Sequence, residues 1–321
     1  MSVKIFPSQY KDQRAMSVES DRIVAQFLPA IGSKMCSLVY KPLNLELLVQ
    51  RPNPRYLLAP YDGDYVGQGE CSGFDEMFPS IDKCFYEGYP WRGTPIPDHG
   101  EVWSIEWDCA AENDRLHFAT VGVRFPYKLE KWVSFHGDNV LHTDYRVTNL
   151  SDFDLDFMWA AHPMFYLEEG AELRLPAGVQ QVITTLSFTG SLGRYGDVFD
   201  WPIARLPDGQ MRDLRRIRPK TARDAEKYFV KGKLPEGWCA LTFPRSDLTL
   251  TLSFPVETVP YLAILPNAGG WQDLYNIFLE PATAAFDRLD MARLRGECST
   301  VKARSTYEWC LDIALTEGVT R

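Results

Sequence analysis

The strongest constraint in this 321-residue chain is a set of segments in which apolar and polar residues alternate one for one. From Ser151 to Trp159, Phe153, Leu155, Phe157 and Trp159 alternate with Asp152, Asp154, Asp156 and Met158. Successive side chains of a strand point to opposite faces, so this period puts the apolar groups on a core and the carboxylates in water; a helix would scatter both sets. The pattern recurs at Leu248, Leu250, Leu252 and Phe254, and at Tyr307, Trp309, Leu311, Ile313 and Leu315. Turn-forming runs punctuate the strands: Glu112-Asn113-Asp114, Gly137-Asp138-Asn139 and Asn149-Leu150-Ser151-Asp152. Strands at roughly ten-residue spacing predict an all-β sandwich or barrel of large antiparallel sheets with few short helices, a class that can use more than 200 residues in one domain. Residues 1–321 are therefore expected to form one domain. Its exception is a charged surface excursion from Arg205 to Lys233, in which Ala222–Phe229 is expected to form a short helix.

Composition excludes several function classes. At 45% apolar and 24% charged residues, the chain can bury a sizeable core without disulfide or metal staples. A net charge of −9 and a pI near 5.2 disfavour a nucleic-acid partner, which would call for a basic patch to neutralise phosphates. No apolar run approaches the length of a membrane span and no secretory leader is evident, so the expected location is cytoplasmic. The seven cysteines form no CxxC pair and are expected to be reduced. HExxH, GxSxG, GxGxxG and the phosphate-binding GxxxxGK[ST] are all missing, so a zinc hydrolase, a Ser-His-Asp hydrolase with a nucleophile elbow, and dinucleotide or phosphate-loop binding are not indicated.

The candidate chemistry lies in a few residues. Of five histidines, His117, His136 and His142 read as strand-face or turn residues without a chemical role. His99 lies in the turn Pro97-Asp98-His99-Gly100, ahead of an expected strand Glu101–Trp107, and loops at strand mouths are where functional side chains gather. His162 follows the alternating segment in Ala160-Ala161-His162-Pro163, where Pro163 restricts it to extended geometry at a strand end. Glu280 closes the apolar run Ile277-Phe278-Leu279, and a carboxylate there is costly to bury unless it is paired or used.

These residues fall in four ordered motifs: Gly73-Phe-Asp-Glu-Met-Phe-Pro79; Pro97-Asp-His-Gly100 with Trp103 and Trp107; Trp159-Ala-Ala-His-Pro-Met-Phe165; and Leu279-Glu-Pro281 with Asp287-Arg-Leu-Asp-Met-Ala292. Together they resemble the aldose 1-epimerase (galactose mutarotase-like) superfamily, over about Phe27 to Leu315. The resemblance implies a β-supersandwich with a sugar pocket on a concave sheet face and no cofactor. It implies interconversion of the α and β anomers of a free aldose: Glu280 as the base removing the O1 proton, His162 as the acid protonating the ring oxygen, and His99 stabilising the charge shift. Asp98, Glu76, Lys227, Asn267 and Trp271 are the expected substrate contacts, with Trp271 as an apolar platform and Lys227 suited to an acidic substituent. The chain departs from the GRxxNR-like segment usual in galactose mutarotases. Its GxxxxFP shape is closer to the sugar-phosphate epimerase branch, but Cys71-Ser72 stands where Arg-Gly is usual there. The alternatives are a non-catalytic carbohydrate-binding or sensory protein and a hexose-6-phosphate epimerase. The expected partner is a small-molecule sugar, with no nucleic acid and no membrane, the chain being a monomer or homodimer.

Overall fold

A computed structural model describes residues 3–318. Two antiparallel sheets dominate it. The larger, of twelve strands, runs through its centre in the order Lys34–Tyr40, Phe74–Met77, Ala160–Tyr166, Tyr275–Ala282, Tyr261–Ala268, Asp224–Val230 and Gln181–Ser187. The smaller, of eight strands, centres on Leu248–Ser253, Thr306–Glu317, Val140–Asn149 and Tyr127–Phe135. Alternation accounts for the packing: Leu248, Leu250 and Leu252, like Leu311, Ile313 and Leu315, turn inward from the smaller sheet and are almost wholly buried. One contiguous apolar cluster extends from Val18 to Leu315, and Phe27, Phe118, Trp107 and Trp159 are among its large members.

Polar groups inside the sandwich are paired. Lys131 donates to Glu76 Oε1 at 2.9 Å, and the same carboxylate accepts from Tyr145 Oη at 3.0 Å and Trp159 Nε1 at 2.9 Å. Glu76 thus joins the two sheets on the face away from the cavity described below. The expectation that it binds sugar hydroxyls is not met, because its acceptor sites are committed to the interior.

Several local expectations are overturned by hydrogen bonding that periodicity does not encode. In Ser151–Trp159 only Leu155–Phe157 is a strand, and Phe153 is exposed. Asn149 accepts from Ser151 N at 3.0 Å and donates to Phe153 O at 2.7 Å, closing a turn where alternation implied extended chain. Glu101–Trp107 forms bends rather than a strand, tied down by the buried Glu101 carboxylate, which accepts from Tyr61, Tyr127 and Arg124 N. The expected helix Ala222–Phe229 is instead a short 3-10 turn, Lys220–Ala222, followed by Asp224–Val230, a strand buried at every position between two neighbours. Tertiary pairing overrides the helical propensity of its Ala-Glu-Lys core. Only the earlier part of the charged excursion, including the small hairpin Ile203–Arg205/Met211–Asp213, lies off the main sheets.

His162 lies within a central strand, not at a strand end. Its ladder to Tyr275–Ala282 pairs Ala160 with Ala282 and Met164 with Phe278 but lapses between them, where Pro163 and Pro281 lack backbone donors.

Candidate active site

Register assembles a row of ionisable groups across the large sheet. His162 is opposite Asp75 on one side, and the register of its other neighbour places it opposite Glu280. Residues directly opposite share a face, so Asp75, His162 and Glu280 project together, away from the smaller sheet. Lys34 joins from the next strand, its Nζ 2.9 Å from Asp75 Oδ2. Lys227, on the buried strand, reaches Glu280 Oε2 at 2.6 Å and Asp287 Oδ1 at 2.7 Å. The row thus runs Lys34, Asp75, His162, Glu280, Lys227, Asp287, with a lysine beside the carboxylates at either side of the histidine.

A cavity of about 300 Å³ opens over this row, lined among others by His99, His162, Lys227, Trp271, Phe278 and Asp287. Tyr65, the first residue of the short helix Tyr65–Gln68, lines one end. Its ring stacks on His99 at 4.0 Å between centroids, and its hydroxyl donates to Asp75 Oδ2 at 2.7 Å. The same hydroxyl lies 3.3 Å from His162 Nδ1. Because the tyrosine proton is committed to Asp75, its oxygen accepts from Nδ1–H; this assigns the Nδ1–H tautomer to a neutral His162 and leaves the Nε2 lone pair facing Glu280 Oε1 at 3.8 Å. That separation is too long for a hydrogen bond, and Glu280 Oε1 is buried without a hydrogen-bond partner among the described residues. Nε2 and Oε1 are both acceptors, so each calls for a donor hydrogen of its own.

Burial governs the electrostatics. Removal from water pushes the His162 pKa well below 6.5, with the positive charges of His99, Lys227 and Lys34 acting in the same direction. Burial likewise raises Glu280 above the ordinary carboxylate value, against the pull of Lys227. For Lys227 burial opposes the charge, but Asp287 and Glu280 more than offset it, and its pKa is raised. His99 has a carboxylate of its own: Nδ1 lies 3.0 Å from Asp98 Oδ1. Burial works against an ionised Asp98, yet the bonds from His99 and Tyr65 N hold its pKa below the usual carboxylate value.

The sequence-derived residues thus divide. His99, His162, Lys227 and Trp271 line the cavity, and Glu280 sits directly behind His162 and Lys227. Asp98 faces His99 and orients it. Asn267 is fully buried, bonding Trp271 N and O and Asn276, so it braces the tryptophan loop and does not reach the cavity. Lys227 serves as internal counterion to Glu280, in place of a clamp for an acidic substituent. Sequence reading missed Tyr65, Asp75 and Lys34, whose roles arise from register and loop placement.

His99 occupies a left-handed backbone conformation (φ 58°), followed by Gly100 at φ 80°. A Cβ on Gly100 would fall 2.1 Å from Phe78 O. Gly100→Ala is therefore expected to destabilise the chain by more than about 1 kcal/mol in urea unfolding and to displace His99 from the cavity.

Among the described residues no helix is long and apolar enough to cross a membrane. No family model matches this sequence, and no curated protein does. Solved structures do resemble it along nearly their whole lengths. The Slr1438 protein of Synechocystis sp. PCC 6803 has a TM-score of 0.71 at 16% identity, with 99% of each chain covered. A galactose mutarotase-like protein from Lactobacillus casei has a TM-score of 0.67 at 19% identity, covering 94% of this chain and 100% of that one. A galactose mutarotase related enzyme from Lactobacillus acidophilus has a TM-score of 0.61 at 14% identity, with 99% of each chain covered. At such identities the likeness is one of fold, and this chain has the galactose mutarotase-like β-sandwich fold.

Proposed function

We propose that this chain is an aldose 1-epimerase-like isomerase that interconverts the α and β anomers of a free aldose. The observation that carries the reading is the unpartnered Glu280 Oε1 facing His162 Nε2 across 3.8 Å, beside a cavity that His99 also lines. A sugar O1 hydroxyl placed at Oε1 would give its proton to Glu280 while a donor protonates the ring oxygen, breaking the C1–O5 bond. Rotation about C1–C2 and closure with the roles reversed yields the other anomer.

The donor's role is better supported for His99 than for His162. Burial keeps His162 neutral, and a neutral imidazole with its proton on Nδ1 accepts at Nε2. His99 has Asp98 as the counterion of an imidazolium, and its remaining nitrogen is free to serve the ring oxygen. His162 Nε2, an acceptor, then serves to take a hydrogen bond from a sugar hydroxyl next to O1. Trp271 and Phe278 supply an apolar wall for a sugar face.

A neutral sugar suits the charges better than a phosphorylated one. Among the described residues no arginine lines the cavity; Lys227 is already held by two carboxylates, and Asp82 and Asp287 line it too.

The test is saturation-transfer NMR between the anomers of several free aldoses. Exchange is expected to accelerate with protein concentration. It should also rise with pH as Glu280 ionises, through a midpoint above 4.5, because burial raises this carboxylate and only its charged form is a base. Saturable sugar binding without accelerated exchange would reassign the chain as a carbohydrate-binding protein.

A further inference from the structure

On the outer face of the smaller sheet, three side chains distant in sequence converge. His142 of Val140–Asn149 is directly opposite Asp312 of Thr306–Glu317, and His136 precedes the turn into the first of these strands. His142 Nδ1 lies 2.6 Å from Asp312 Oδ1, His136 Nδ1 lies 3.8 Å from the same oxygen, and all three donor atoms fall within 4.8 Å of one another. We propose that His136, His142 and Asp312 form a binding site for a divalent transition metal of the zinc class, separate from the sugar cavity.

Size, donor orientation and access each support the site. A tetrahedral ion with bonds of about 2.0–2.2 Å places its ligand atoms about 3.4 Å apart, a value that the 2.6 and 3.8 Å separations bracket. Orientation is set by a further carboxylate: His142 Nε2 is 3.1 Å from Asp144 Oδ1. An Nε2–H donated to Asp144 turns the Nδ1 lone pair onto Asp312, so two acceptors meet and only a proton or a cation satisfies both. A carboxylate on the far nitrogen of a ligating histidine is also the usual arrangement around bound metals. His136 stacks on His142 at 3.9 Å between centroids, so its exposed ring must turn out of the stack for its Nδ1 lone pair to converge on the same ion. Two imidazoles and one carboxylate select zinc-class ions over calcium or magnesium. The His136 side chain is 59% exposed, which leaves a fourth coordination position to solvent. Linear spacing conceals this set, because strand pairing alone joins residues 142 and 312.

The full chain, stripped with a chelator and titrated with zinc chloride near neutral pH against a chromophoric competitor, is expected to bind one equivalent. His142→Ala and Asp312→Asn should each weaken binding by at least about tenfold. Asp144→Asn retains all three ligands and should weaken it by about tenfold, which keeps the test decisive if His142→Ala does not fold. His117→Ala, on the same sheet between Glu112 and Glu130, should leave it unchanged. The proposal is overturned if the unaltered chain binds no zinc, if folded His142→Ala and Asp144→Asn bind as the unaltered chain does, or if His117→Ala abolishes binding.

Discussion

Anomer exchange is expected to slow by roughly 10²–10⁴-fold in Glu280→Gln, with the loss in kcat rather than KM. Glutamine keeps the volume of the buried side chain and can still contact O1, but its amide has no useful basicity. Binding should therefore survive while proton removal does not. Lys227 retains Asp287 as a partner at 2.7 Å, so the variant leaves no isolated buried cation. Saturation transfer at saturating sugar, together with a binding isotherm for the same variant, separates the two parameters. An unchanged kcat would remove Glu280 from the chemistry and with it the proposed mechanism.

Lys227→Met is expected to have the largest effect on stability, about 3–5 kcal/mol, because it strands two carboxylates that this ammonium neutralises. Its side chain is 8% exposed and that of Glu280 is fully buried, so water cannot replace the missing charge. The direction with pH follows from the shifts. Lys227 is raised above its ordinary value, so in the unaltered chain the ammonium itself loses its charge only in strong alkali. Without it, Glu280 and Asp287 repel, and the folded state holds a proton more tightly than the unfolded chain does. The destabilisation should accordingly grow as pH rises above the ordinary carboxylate value and shrink in mild acid. Urea unfolding of both proteins at mildly acidic and mildly alkaline pH measures this, and a pH-independent difference would contradict the assigned charges.

The all-β class was legible because Leu248–Phe254 and Tyr307–Leu315 carry a period that only a half-buried strand satisfies. His99, His162 and Glu280 were legible as unusual residues in restrictive settings. Their convergence was not, since it depends on which strands become neighbours. Asp75 and Glu76 illustrate the limit: they are adjacent acids in one motif, and a single step along a strand sends one to the cavity face and the other into the sandwich. Tyr65 carried no signal because its role comes from a one-turn helix packing against His99. The buried strand Asp224–Val230 was obscured by helix-favouring residues whose true setting is set by partners on both sides.

The lapse in pairing between Ala160–Tyr166 and Tyr275–Ala282 has a mechanical consequence. Elsewhere in the sheet, parting two strands breaks hydrogen bonds; along this stretch few remain to break, since Pro163 and Pro281 contribute no amide hydrogens. His162 and Glu280 are thus mounted on either side of an unlaced seam, where the backbone ladder does not itself fix the spacing of the two side chains.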